Sequence, residues 1–164
     1  MSRPWLAHYP AGVPAEISIQ PYASLPDLLD RACRKHAARV ACTAMGADIK
    51  YAELDRQARA FAAWLQSQGL KKGARVALMM PNVPAYLVCL LGTLRAGLVV
   101  VNVNPLYKAD ELQRQLLDSG AEVIVILENF AHTLQSVSDR GALRHVVVTG
   151  PGDLLGGLKA PLVN

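Results

Sequence analysis

Short apolar runs and helix-length apolar stretches alternate along residues 70–149 of this chain. Residues 75–80 form an apolar run closed by Pro-Asn, a pattern typical of a strand buried on both faces. Residues 83–96 have helical length and end in Arg-Ala-Gly, and residues 99–103 are β-branched and stop before Asn-Pro. Strand, helix and strand within about 30 residues predict a βαβ unit with parallel strands and a right-handed crossover.

The same stretch has a second interpretation, a membrane-spanning helix. Residues 76–94 contain no charged side chain, and their number is close to that of a span. Three residues in the first half, Pro81, Asn82 and Pro84, would interrupt the helical hydrogen bonds inside lipid, and the flanks lack an aromatic belt. We therefore favour the βαβ unit.

The alternation continues after this unit. Residues 110–118 form a helix that Ser-Gly closes, and residues 123–127 form a further buried strand. Asn129 is predicted to cap another helix that runs to about residue 138, and residues 145–149 form a fourth strand. The pattern predicts an α/β fold with an incomplete doubly wound parallel sheet.

A smaller unit precedes the sheet. Ser24 is predicted to cap a helix over residues 25–37, and residues 40–44 and 49–51 flank a hairpin turn. Residues 51–68 form a helix with one apolar stripe, made of Leu54, Ala58, Phe61 and Leu65.

These patterns divide the chain into three parts. Residues 1–22 are rich in Pro but carry Trp5 and Ile17, which predicts an extended arm lying on a surface. Residues 23–149 form a partial α/β domain. Residues 150–164 are rich in Gly and Pro and follow no helix or strand pattern, and we expect them to form a loop at a truncated end of the domain.

Composition narrows the function classes. The net charge is +4, and the basic residues are scattered along the chain. Their densest cluster, in residues 31–39, is typical of the solvent-facing side of a helix. We therefore expect no nucleic-acid partner. Weak peripheral contact with an anionic membrane is compatible with this charge. The chain has three cysteines without CxxC spacing and no apolar signal segment near its start. These features predict a protein located in the cytoplasm, and contact with the inner face of the membrane is left open.

The residues themselves predict no catalytic or metal-binding group. The glycines of residues 150–157 lack the dinucleotide-binding spacing, no GxxxxGK[ST] motif occurs, and the four histidines have no ligand spacing. One positional argument remains, because ligands of parallel sheets gather beyond the carboxyl ends of the strands. Those ends are residues 80–84 and 102–107, where Asn side chains either hydrogen-bond a ligand or simply form turns.

Several segments resemble bacterial long-chain fatty acid–CoA ligases, which are adenylate-forming enzymes. The resemblance extends over nearly the whole chain and weakens after residue 150. The segments that carry it are WLAHYP (5–10), VPAEI (13–17), LKKGARVALMMPN (70–82), LRAG (94–97), VNVNPLY (101–107), DSGA (118–121) and NFAHTL (129–134). YAEL (51–54) and LRAG are shared by adenylate-forming enzymes generally. Residues 49–50 and 108–110 depart from the family pattern in small ways that leave the fold unaffected.

The resemblance implies ATP- and Mg²⁺-dependent activation of a fatty acid to an acyl-adenylate, followed by thioester formation with coenzyme A. It also implies that the phosphate loop, the adenosine-binding motifs and the adenylating Lys follow later in a longer polypeptide. We therefore expect a fragment that is inactive alone, binds no cofactor tightly and needs the rest of the adenylating domain as its partner. The alternative is a free-standing, non-catalytic interaction or regulatory module, and a homodimer is left open.

The resemblance marks one segment as a candidate site. Asn104, Pro105, Leu106 and Tyr107 correspond to a loop that borders the coenzyme A site in related acyl-CoA synthetases. This agrees with the strand-end argument. They are the only site residues that we predict here.

Overall fold

The computed structural model describes residues 2–17 and 22–153. The hairpin unit consists of α1 (Leu25–Lys35), β1 (Val40–Ala44), β2 (Ala47–Lys50) and α2 (Tyr51–Ser67). The elements that follow are β3 (Arg75–Met79), α3 (Pro84–Arg95), β4 (Val99–Val103), α4 (Ala109–Ser119), β5 (Val123–Leu127), α5 (Ala131–Gln135) and β6 (His145–Thr149). Two 3-10 helices cover Pro4–His8 and Glu128–Phe130.

The last four strands form one parallel sheet in the order β4-β3-β5-β6. Ala77 of β3 lies opposite Val101 of β4 on one side and Ile124 of β5 on the other. The chain therefore runs from β3 to its neighbour β4, crosses back over β3 through α4 to reach β5 on the other side, and continues outward to β6. The predicted parallel βαβ unit is confirmed.

Both faces of this sheet are covered by helices. Val76 and Leu78 of β3 belong to a core cluster that contains Leu65 of α2 and Cys89 of α3. The alternate residues of β3, Ala77 and Met79, belong to a second cluster, which receives Leu112 and Leu116 from α4 and Leu134 from α5. Helices on both faces make the sheet doubly wound, as the sequence predicts.

Arg95, at the end of α3, connects three helices. Its side chain is only 8% exposed, and its Nε donates to Asp30 of α1 at 2.8 Å while its Nη2 pairs with Asp55 of α2. Burial tends to raise the pKa of the Asp55 carboxyl, but hydrogen bonds from Arg59 and Arg95 outweigh it and hold this pKa below its ordinary value. The hairpin unit is thereby joined to the sheet domain by charge as well as by apolar contact.

Two local predictions are wrong. Asn129 does not cap a long helix, because it lies inside the 3-10 helix and α5 ends at Gln135. Ser136 Oγ donates to the His132 carbonyl at 3.1 Å and so competes for an acceptor at the end of α5. The N-terminal arm is not wholly extended, since Pro4 opens a 3-10 helix. Residues 18–21 of the arm and 154–164 of the predicted terminal loop lie outside the described residues.

The membrane-helix alternative is also wrong. Residues 76–94 divide into the end of β3, a turn at Pro81 and Asn82, and most of α3. Across residues 2–17 and 22–153, no helix reaches the length and apolar character that crossing a bilayer requires.

Replacing Arg95 by Ala should lower the free energy of unfolding by about 3 kcal/mol, because it leaves two partly buried carboxylates without their cation. Urea denaturation followed by circular dichroism measures the loss. The matched control is Arg114→Ala, which breaks an exposed pair with Asp110 at 2.9 Å and should cost less than about 0.5 kcal/mol. Equal losses in the two variants would contradict the role assigned to Arg95.

Candidate functional site

The carboxyl ends of β3, β4 and β5 lie at one edge of the parallel sheet, as parallel pairing requires. Asn82 follows β3 and Asn104 follows β4, and both are exposed. Glu128 and Phe130 follow β5. This edge carries the residues that the sequence singles out, together with others that it does not.

The loop after β4 is held by its own hydrogen bonds. Asn104 Oδ1 accepts from the Leu106 amide at 3.0 Å, and the Asn104 carbonyl accepts from the Tyr107 amide at 3.1 Å. Glu111 Oε2 then accepts from the Lys108 amide at 2.9 Å, which caps α4. The result is a fixed turn whose tip, Leu106, is 80% exposed.

Neighbouring side chains anchor this turn to the sheet. Tyr107 packs against the core cluster under α4. Asn102, two residues before Asn104, accepts from Tyr86 Oη at 3.1 Å through its side chain and from Gln115 Nε2 at 2.9 Å through its carbonyl. Asn102 therefore connects α3 and α4 to the edge strand β4, so its role is structural.

A cleft of about 440 Å³ separates the loop after β4 from the segment after β5. Lys108 and His132 are exposed on its two sides, and Phe130 gives it an aromatic wall. His132 Nε2 lies 3.5 Å from Thr133 Oγ1. The full lining is Pro105, Leu106, Tyr107, Lys108, Ala109, Phe130, His132, Thr133 and Ser136.

The charge of the cleft is suited to an anion. Within the described part of the chain, no carboxylate forms an ion pair with the Lys108 side chain, since Glu111 bonds only to its amide. The Lys108 ammonium and a ring N–H of His132 can donate to phosphate oxygens. The aromatic ring of Phe130 adds a surface on which a planar group can stack.

Asn82 faces a different cavity. It lines a space of about 260 Å³ together with Cys42 and Thr43 of β1 and with Tyr86 of α3. The structure therefore places the two strand ends predicted from the sequence at one edge but does not bring them into one site.

The described residues offer no prepared nucleophile. Burial raises the pKa of the Cys33 and Cys42 thiols, and it raises that of Cys89 to about 12, so none is favoured as a thiolate. No group of three or more His, Cys, Asp or Glu side chains suited to a metal ion occurs in residues 2–17 and 22–153.

A sequence profile of AMP-binding enzymes matches residues 29–159. The chain belongs to the AMP-binding enzyme family. A long-chain-fatty-acid–CoA ligase from Escherichia coli O157:H7 is 52% identical over 165 aligned positions, which take in all of this chain and 29% of the ligase. The chain thus spans about 29% of the length of this relative.

Solved structures of AMP-binding enzymes share the fold. A long-chain-fatty-acid–CoA ligase from Archaeoglobus fulgidus superposes with a TM-score of 0.74 at 23% identity, over 89% of this chain and 30% of the ligase. A benzoate–CoA ligase from Burkholderia xenovorans LB400 gives a TM-score of 0.72 at 25% identity, over 84% of this chain and 27% of the other. The AMP-binding fold predicted from the sequence is confirmed.

Sequence reasoning identified one wall of the cleft in this AMP-binding enzyme chain and missed the other. The segment NFAHTL carries part of the family resemblance, and His132 lacks the spacing of a metal ligand, so neither pattern points to the cleft. The end of β5 is the signal that does, because ligands of parallel sheets gather beyond the carboxyl ends of the strands, here residues 128–133.

Replacing Asn104 by Ala should speed hydrogen exchange of the Leu106 amide by about tenfold, because the amide loses its acceptor. Amide-resolved exchange by NMR measures this change. Asn104→Asp keeps an acceptor oxygen and should leave the Leu106 rate within about twofold of the original. An unchanged rate in the Ala variant would show that the turn does not depend on this side chain.

Proposed function

We propose that this chain is part of a long-chain fatty acid–CoA ligase. The observation that carries the proposal is 52% identity, over the whole chain, to a protein of that name. The proposed reaction activates a fatty acid with ATP and Mg²⁺ to an acyl-adenylate and pyrophosphate. The thiol of coenzyme A then attacks the acyl carbon, which releases AMP and leaves the thioester.

The contribution of these residues to that reaction is a scaffold and a binding edge. Membership of the AMP-binding family supports the use of a nucleotide. The cleft beside Lys108 and His132 has the donors and the aromatic wall that suit the phosphates and adenine of coenzyme A. We propose that coenzyme A passes along this cleft, bordered by the turn from Asn104 to Tyr107.

The 164-residue chain alone should show no fatty-acid-dependent exchange of pyrophosphate into ATP, because it carries no phosphate-binding loop. A longer polypeptide that contains this chain and the remaining length of the relatives should catalyse that exchange. Exchange is followed with radiolabelled pyrophosphate, with and without a long-chain fatty acid. Measurable exchange by the 164 residues alone would contradict the proposal that they supply a scaffold and a binding edge but no phosphate-binding loop.

The non-catalytic alternative makes a different prediction for the same samples. If the chain were a free-standing module, it should melt in one sharp transition without binding an apolar dye, and the longer polypeptide should not activate fatty acids.

A homodimer and a cytoplasmic location stay predictions, which sedimentation analysis and cell fractionation can measure.

Within the active, longer polypeptide, the double substitution Lys108→Ala with His132→Ala should raise KM for coenzyme A about tenfold, since two donors to phosphate are lost. Pyrophosphate exchange, which precedes coenzyme A binding, should stay within about twofold of the original. Lys50→Ala, which removes an exposed cation from the hairpin, is the matched control. An unchanged KM, or an equal loss in both half-reactions, would argue against this position for coenzyme A.

A further inference from the structure

β6 is an edge strand whose outer side has no partner strand in the part of the chain that the structure describes. Its other side pairs in parallel with β5. The His145 amide, at the start of β6, donates to the Glu122 carbonyl at 3.1 Å and so points toward β5. Because backbone groups alternate between the two sides of a strand, the amides and carbonyls of Val146 and Val148 point to the free edge.

The side chains of Val146 and Val148 are exposed as well, at 46% and 53%. They lie on the face of the sheet that carries α4 and α5, opposite Ile124 and Ile126 of β5, which are fully buried on that face. α5 has only five residues, and beside it a cavity of about 220 Å³ opens between Ile126 and the two valines. We call Val146, Val148 and this cavity the open face of β6.

The other edge of the sheet is better covered on the same face. Val103 of β4 is 4% exposed, and Val101 packs against the core cluster under α4. On the opposite face of β6, Val147 packs against the cluster under α2 and α3. Since parallel sheets bury both of their faces, the open face of β6 is a position at which a covering helix is missing.

The path of the chain indicates where a further helix would lie. From β3 to β4 the chain passes through α3 on one face, whereas from β4 back to β5, and on to β6, it passes through α4 and α5 on the other. This is the right-handed rule, in which the direction of travel across a parallel sheet sets the face of the crossover helix. One more step in the direction from β5 to β6 therefore places its helix over Val146 and Val148.

We propose that, in a full-length ligase, a helix from the polypeptide outside these 164 residues covers the open face of β6. The strand after this helix pairs in parallel with the free edge of β6. The aligned part makes up 29% of the ligase from Escherichia coli O157:H7, so most of that protein can supply the two elements. The helix has an apolar stripe toward the valines, and the strand is apolar throughout. This inference rests on the proposed function only because it requires the longer polypeptide.

Thiol labelling tests whether the open face is covered. In the longer polypeptide, a maleimide should label Val148→Cys about 100-fold more slowly than the matched control Val40→Cys, because a covered thiol reacts only when the helix opens. Val40 is 46% exposed in the hairpin, away from this sheet edge. In the 164-residue chain the two positions should label within about threefold of each other, since both are open to solvent. Mass spectrometry of the labelled peptides distinguishes them from the native cysteines. Equal labelling at both positions in the longer polypeptide would overturn the proposal.

Hydrogen exchange of the unsubstituted proteins tests the strand pairing without any variant. The Val146 and Val148 amides should exchange about 100-fold more slowly in the longer polypeptide than in the 164-residue chain, because they gain acceptors. Fragmentation mass spectrometry resolves these amides. Unprotected amides in the longer polypeptide would overturn the proposal. So would protection that is lost on dilution, because a second copy would then occupy the edge.

The same samples separate this inference from the proposed reaction. Protected Val146 and Val148 amides in a longer polypeptide that lacks fatty-acid-dependent pyrophosphate exchange would refute the ligase reaction and support the covering of β6. Unprotected amides in a polypeptide that catalyses this exchange would leave the reaction standing and refute the covering.

Discussion

The rest of the structure depends on one constraint, which is that β3 and β5 bury side chains on both faces. Every residue of β5 is buried, and so is every residue of β3 after Arg75. A strand without a solvent-facing side needs helices above and below it, and its backbone groups must be paired within the sheet. The chain meets both needs by placing α2 and α3 on one face, α4 and α5 on the other, and β3 between β4 and β5.

This constraint explains which parts of the fold the sequence predicts well. A strand buried on both faces must be apolar at every position, and such runs are visible without any knowledge of their neighbours. The helices between them show their length and their Gly stops, as at Gly120, which adopts a φ of +57° and ends α4. Strand order is not visible in the same way, because it depends on pairing between distant segments.

The errors have a different physical origin. The segment after β5 has a plausible cap in Asn129, but a 3-10 turn and the Ser136 hydroxyl shorten the helix that follows. In the arm, Pro4 fixes the backbone of a first helical turn although the segment as a whole looks extended. Both errors occur where a few local hydrogen bonds decide the structure and no apolar periodicity reports them.

For a related reason, only one of the two walls of the candidate site could be predicted from the sequence. The turn at Asn104 follows a strand and contains Asn and Pro, so its position could be inferred from one segment. The cleft needs a second wall, which Phe130 and His132 supply after β5. The two walls follow consecutive strands, but β3 lies between β4 and β5 in the sheet, and this spatial order is not visible in the sequence.

The way in which the turn is held also bears on the proposed ligand contacts. Its shape comes from the bonds of Asn104 to the Leu106 and Tyr107 amides and of Glu111 to the Lys108 amide. None of these bonds uses the side chain of Leu106 or of Lys108. A turn that is ordered before its ligand arrives loses little conformational freedom on binding. The side chains at its tip therefore take no part in holding the turn, so that the scaffold and the proposed ligand contacts are separable in this segment.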